Sequence, residues 1–312
     1  MAKLLKELAR SARPRQWLKN LALFAALVFS GNLFDFQKFI IILLATFIFT
    51  ILTSSCYLLN DIADVKKDRL HPFKKFRPIA KGTLAIPLAF FIAISGIFLS
   101  LYLGVFLSFF FLLIILTYLS LQIIYSLFLK NIAVLDVLAI AASFILRVYA
   151  GAVAIGVHLS VWFLLCVISL ALFLAVGKRK AEMTILNEAA PSHRQTLALY
   201  SPSLLDNYLS MFASSAWISW ALFTFFEPPP QNYFLPFFPI ISRFPLTFAG
   251  INKWLMITIP IVIYGIMRYL KIIHEGGKAE SPERVLLSDK PLLLSAFIWG
   301  ALIILIIYGG KD

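Results

Sequence analysis

The sequence predicts an all-α, polytopic membrane protein with nine transmembrane helices, and three features carry that prediction. Of 312 residues, 61% are hydrophobic and only 14% are charged, against roughly 45–50% and about 25% in soluble domains. Mean hydropathy is +0.90. Stretches such as 39–52 and 105–119 run without a charge, and one spanning helix needs roughly 20 apolar residues. This balance excludes a soluble enzyme, a disulfide scaffold and a disordered chain. The formal charge of +13 would invite a nucleic-acid reading in a soluble protein. In a membrane protein it is first a topology signal, so the expected surroundings are a lipid bilayer and no nucleic acid.

The first span is placed at 18–34, behind a basic lead. No small-residue cleavage site follows, so it is read as a retained span and not a signal peptide. The others are expected near 37–60, 85–103, 105–126, 132–155, 161–179, 207–227, 253–274 and 291–309, giving one integral domain over 1–312. Twenty-three of the 28 Lys and Arg fall on one side of this arrangement: at the N-terminus and after spans two, four, six and eight. Four fall on the other side, and Arg147 lies within a span. The bias puts the N-terminus and the even-to-odd loops in the cytoplasm and, with nine spans, Asp312 outside. Twelve of the 15 acids share the basic side, a mixture that suits a metal ion held together with anionic substrates. Cys56 and Cys166 sit in apolar runs as small hydrophobes, and the four histidines show no zinc spacing.

The sharpest chemical signal closes span two: Asn60-Asp61-Ile62-Ala63-Asp64-Val65-Lys66-Lys67-Asp68-Arg69. If the helix continues, Asn60, Asp64 and Asp68 stack at i, i+4 and i+8, with Asp61 close to the same stripe. Such hard oxygen donors suit Mg²⁺. Like charges on one helical face repel unless a cation joins them, which weighs against a merely solvated helix end. Beyond them, 71–82 carries two prolines that disfavour a continuous helix. It is expected to fold over the mouth of a site and to offer Arg69, Lys74, Arg77 and Lys81 to phosphate oxygens. Attraction to lipid headgroups is the plainer account of any single lysine there.

Polar residues at membrane depth are costly and usually functional. Asp136 and Arg147 share a face of span five but stand about 16 Å apart along the axis, so each needs a separate partner. A phosphate would suit Arg147 and a base or hydroxyl would suit Asp136, while an interhelical ion pair is the structural alternative for both. Span six ends in Lys178-Arg179-Lys180-Ala181-Glu182, cations that complement the helix dipole and are equally fit to hold a phosphate. Tyr125 and Lys130 close span four on the same side. The stretch 280–291 reads as a short amphipathic helix along the interface.

Asn60-Asp61-x-x-Asp64-x-x-x-Asp68 at the end of the second span resembles the first Asp-rich motif of the UbiA-type intramembrane prenyltransferase superfamily. Within it, the chain is most similar to the decaprenyl-phosphate phosphoribosyltransferase group. The likeness rests also on Arg13-Pro14-Arg15-Gln16-Trp17-Leu18-Lys19-Asn20, on 60–82, 125–130, 146–156 and 171–182, on Tyr200-Ser201-Pro202, and on 264–269 and 288–294. It implies Mg²⁺-dependent transfer of a 5-phosphoribosyl group from 5-phosphoribosyl diphosphate (PRPP) to a polyprenyl phosphate, for cell-envelope polysaccharide synthesis. Asn60, Asp61, Asp64 and Asp68 would then hold the metal and form the catalytic set. Arg69, Lys74, Arg77 and Lys81 would meet PRPP. Lys19, Lys130, Arg147, Lys178 and Arg179 would meet either substrate, with Asn20, Tyr125, Asp136, Lys180 and Glu182 in the same substrate-binding set. A homo-oligomer fits this reading.

One departure from the wider superfamily is informative. Aryl prenyltransferases carry a second DxxxD motif after span six, and here that place holds Lys178-Arg179-Lys180 with only Glu182 acidic. Two anionic substrates would want those cations; a prenyl diphosphate with a neutral ring would want the carboxylates. Prenyl transfer to an aromatic acceptor is therefore the alternative enzymology. An ion-coupled transporter is the alternative of another class, and it predicts inverted repeats that the sequence does not display.

Overall fold

A computed structural model describes residues 2–70, 74–186, 199–227, 253–275 and 282–309. All regular elements among them are helical. In chain order they are α1 (Ala2–Ser11), a 3₁₀ segment (Pro14–Leu23), α2 (Phe24–Phe29), α3 (Phe36–Ala63), α4 (Val65–Leu70), a 3₁₀ turn (Lys74–Phe76) and α5 (Pro78–Lys81). Then come α6 (Ile86–Leu107), α7 (Phe109–Leu127), a second 3₁₀ turn (Leu129–Asn131), α8 (Leu135–Ala154) and α9 (Val161–Leu186). After these follow α10 (Pro202–Phe226), a third 3₁₀ turn (Trp254–Thr258), α11 (Ile259–His274), α12 (Pro282–Ser288) and α13 (Lys290–Tyr308).

Eight helices among the described residues are long and apolar enough to cross a membrane, where nine were expected. The difference is the first span. Residues 18–34 do not form one α-helix but a ten-residue 3₁₀ segment followed by the six residues of α2. Runs of 3₁₀ structure beyond three or four residues are uncommon because their hydrogen bonds are poorly aligned. Here side chains hold the segment from outside. Asn20 is buried and donates to Thr50 at 3.0 Å and Thr53 at 3.2 Å on α3, and its carbonyl oxygen accepts from Arg147 Nε of α8 at 3.0 Å. Leu27 of α2 packs with Ile42 near the start of α3, so the broken segment runs antiparallel to α3. Gly151 makes this approach possible: a Cβ there would lie 2.0 Å from the Leu23 carbonyl oxygen. Gly151→Ala is therefore expected to cost about 1–3 kcal/mol, read as a lower melting temperature in detergent.

Burial ranks the spans. Half of the α9 apolar window is buried, against 22% for α6 and 17% for α7, so α9 is central while α6 and α7 turn most of their surface outward. One core joins α9 to α10 and α11 through Phe173, Val176, Leu205 and Ile273. Another joins α3 to α7 and α8 through Phe49, Phe111, Tyr118 and Ala150. Ser108 separates α6 from α7 with one extended residue, and its side chain caps Phe111 N–H at 3.4 Å. Within the stretch 280–291 the structure forms the short helix α12; residues 280 and 281 lie outside the described residues, as do 71–73, Arg194 and Asp312.

Candidate active site

The carboxylate-rich terminus of α3 opens onto a cavity of about 1090 Å³. The helix stops where the sequence left continuation open: Ala63 is its last residue, Asp64 takes a non-helical cap conformation (φ −94°, ψ 6°), and α4 begins at Val65. Asn60, Asp61 and Asp64 line the cavity, and Asp68 does not.

Each acid meets a base. Asp61, 3% exposed, accepts from Arg13 and from Arg77 Nη1 at 3.0 Å. The same Arg77 nitrogen reaches Asp68 at 2.6 Å, so Arg77 bridges two carboxylates. Asp64 accepts from Lys130 Nζ at 2.8 Å, and Asn60 Oδ1 accepts from Ser126 Oγ at 2.9 Å. Burial pushes the Asp68 carboxyl above its ordinary value, and Arg77 only partly opposes it. Among the described residues no three His, Cys, Asp or Glu converge on one point. Mg²⁺ does not require that, since one or two carboxylates, completed by water and substrate phosphate, are its usual protein share. Asp61, Asp64 and Asn60 are the cavity-lining oxygen donors that could supply that share.

Arg77 is placed by the turn that follows it. It adopts an extended cap conformation before Pro78, which opens α5, and Gly82 closes that helix at φ +81°, a left-handed position that favours glycine. Lys74 lines the cavity. Arg69 and Lys81 do not: Arg69 is exposed and donates to the Ala80 carbonyl at 3.2 Å, and Lys81 is exposed.

The three cations of 178–180 diverge, as successive residues of an α-helix must, by about 100° each. Lys178 lines the cavity, with Glu182 at 4.0 Å. Arg179 is fully buried, pairing with Asp136 at 2.9 Å and with Glu182. Lys180 pairs with Asp206 on α10 at 2.7 Å. Asp136 also accepts from the Tyr200 hydroxyl at 2.8 Å, and that hydroxyl accepts from Val134 N–H at 2.6 Å. Val134 sits at φ +69°, a strained conformation for a β-branched residue, held by this bond. Asp136 and Arg179 thus form the interhelical ion pair that stood as the structural alternative. Arg147 lies outside the cavity, donating to Asn20, to Tyr118 Oη at 2.8 Å and to the Ser143 carbonyl at 2.6 Å.

Several cavity residues were not among those singled out from the sequence. Arg13 enters at φ 54° and lies over the Tyr57 ring at 4.8 Å. Gln16, Ser126, Glu283 and Arg284 also line the wall, and Arg10 and Arg15 join them at the N-terminal side. Arg13 and Gln16 did stand in a family-like stretch, 13–20, whose charges topology alone explained. Glu283 and Arg284 were absorbed into the amphipathic pattern of 280–291.

A helical membrane bundle whose carboxylates and cations line one cavity is the arrangement an intramembrane transferase requires. The chain belongs to the UbiA prenyltransferase family, whose model matches residues 21–279. It is 33% identical over 303 residues to the decaprenyl-phosphate phosphoribosyltransferase of Corynebacterium glutamicum, covering 96% of this chain and 86% of that one. It is 32% identical to the enzyme of the same name from Mycolicibacterium smegmatis, covering 95% and 91%. Among solved structures, a UbiA homolog from Archaeoglobus fulgidus bound to GPP and Mg²⁺ matches with TM-score 0.67 at 18% identity, over 96% of this chain and 99% of that one. The apo UbiA homolog from Aeropyrum pernix matches with TM-score 0.60, also at 18% identity, over 93% and 97%.

Proposed function

We propose that this transferase moves a 5-phosphoribosyl group from PRPP to a polyprenyl phosphate and releases diphosphate. The observation that carries the reading is the cation Lys178 facing the same cavity as Asp64, at the place where a second metal-binding carboxylate motif serves prenyl diphosphates. The names of the bacterial relatives support it. Mg²⁺ would be held by Asp61 and Asp64 with Asn60, with Asp68 behind them; when bound, it supplies Lewis-acid stabilisation of the leaving diphosphate.

The chain's own groups do the rest. Arg13, Lys74 and Lys130 surround the acids and neutralise a polyphosphate that no single cation could hold. Arg77 ties Asp61 to Asp68 and so fixes the acidic wall. Positive charge grows on the anomeric carbon as its bond to diphosphate loosens, and the lipid phosphate oxygen that attacks it is already anionic. No general base is needed. The polyprenyl tail leaves along Leu119, Ile123 and Leu127 of α7. These apolar residues line the cavity, with Ile123 and Leu127 47% and 58% exposed, a wall suited to a lateral passage for the tail. The basic end of the bundle faces the cytoplasm in this reading, as the charge bias requires, and the product serves cell-envelope polysaccharide synthesis.

Membranes containing the protein, given ribose-labelled PRPP and a polyprenyl phosphate, are expected to move label into the organic-extractable fraction. Chelation of divalent ions should abolish that transfer and added Mg²⁺ restore it. Label that stays water-soluble, while a prenyl diphosphate and an aromatic acceptor yield product in the same membranes, would replace this reading with aromatic prenylation.

A further inference from the structure

Glu283 is a carboxylate in a wall made largely of cations. It stands on α12, far in sequence from the Asp-rich helix end, and is 6% exposed while lining the cavity. An anionic group facing anionic substrates works against their binding unless something fixes it to a cation. Glu283 accepts from the Gln16 amide and lies 3.4 Å from Lys19 Nζ, and Lys19 donates to Gln16 Oε1 at 2.6 Å. The three side chains close a triad.

The unusual 3₁₀ segment makes this triad possible. With three residues per turn, side chains at i and i+3 eclipse, so Gln16 and Lys19 stand directly in line; in an α-helix they would be offset by about 60°. One carboxylate can then engage both. On the cavity wall, Lys178 pairs with Glu182 at 4.0 Å. α12 packs against both the 3₁₀ segment that carries Lys19 and the helix α9 that carries Lys178; Lys178 lines the cavity, and Lys19 bonds to two residues that do, Gln16 and Glu283.

We propose that Glu283 is a positioning residue which holds the Lys19 ammonium beside Lys178, so that the two receive a phosphate monoester. The proposal rests on the reading that the cavity takes phosphorylated substrates. The monoester is either the 5-phosphate of the donor or the phosphate of the lipid. Without Glu283 the two ammonium groups repel, and the flexible Lys19 stem has no fixed direction.

The test uses the full chain in detergent, with Glu283→Gln, Glu283→Asp, Lys19→Ala and the Lys19→Ala/Glu283→Gln pair. Glu283→Gln is expected to raise KM about tenfold for one phosphorylated substrate, the size of one lost charge-assisted contact. Its kcat should stay within about twofold. The substrate whose KM moves identifies the monoester. Glu283→Asp should recover part of the loss, and the double variant should be no worse than Lys19→Ala, because the two act as one. Unchanged KM values, or losses that add in the double variant together with a lowered melting temperature, would make Glu283 a tether of α12 and overturn the proposal. Calorimetric binding of inorganic phosphate probes the same subsite without turnover and should weaken about tenfold in Glu283→Gln. If phosphate binding responds in this way while the wild-type protein transfers no ribosyl label, the functional reading fails and the positioning role stands. If label is transferred and phosphate binding ignores Glu283, the reverse holds.

Discussion

Asp64→Asn is expected to lower turnover by roughly a hundredfold to a thousandfold, the scale seen when one preorganised electrostatic partner of a developing charge is removed. Asp64 caps α3, lines the cavity and is about one-fifth exposed, with Lys130 at 2.8 Å. Asparagine keeps the shape and most of the hydrogen-bonding capacity but cannot hold a divalent ion by charge. The fold should tolerate it, because asparagine is also suited to a helix end and Lys130 regains access to water. The diagnostic is a large fall in kcat/KM with an unchanged melting temperature, partly relieved by raised Mg²⁺. A variant with near-normal turnover would remove Asp64 from the chemistry and, with it, the acidic end of α3 as the metal site.

Arg179→Ala is expected to act in the opposite register, as a folding defect. Arg179 and Asp136 are both fully buried, 2.9 Å apart. Truncating the arginine leaves the Asp136 carboxylate without its cation, a loss of about 3–5 kcal/mol where buried pairs are broken from one side. The melting temperature in detergent should fall sharply, and adding Asp136→Asn should recover part of it, since that change removes the stranded charge. Lys178→Ala, one residue earlier, should leave the melting temperature alone and weaken substrate binding. An Arg179→Ala protein that melts like wild type and loses only affinity for a phosphate-bearing substrate would put Arg179 back in the cavity.

Residues 178–180 mark where sequence reading stops. Three adjacent cations at a helix end look alike in one dimension, yet a helix sends them to a cavity, a buried carboxylate and a neighbouring helix. Only the register of α9 against α8 and α10 decides which goes where. Arg147 shows the same limit: a charge at membrane depth announces a need for partners, and Asn20, Tyr118 and Ser143 supply them without any phosphate. The eight long helices were legible because apolar length alone specifies them. The first span was not, because its 3₁₀ form depends on Thr50, Thr53 and Arg147, all distant in the chain. The Asp-rich end of α3 was legible because carboxylates crowded on one helix end repel one another and so call for cations nearby. Arg13 and Glu283 are single charges in segments whose patterns already had simpler causes.

Equilibrium binding of PRPP to the purified protein, with and without Mg²⁺, bears most directly on what this cavity holds. Saturable, one-to-one binding that strengthens with Mg²⁺ and is lost in Asp64→Asn is the expected result. Binding indifferent to Mg²⁺ and to Asp64, or displaced by a prenyl diphosphate with no phosphate-bearing acceptor required, would contradict a cavity built for a sugar diphosphate and a lipid phosphate.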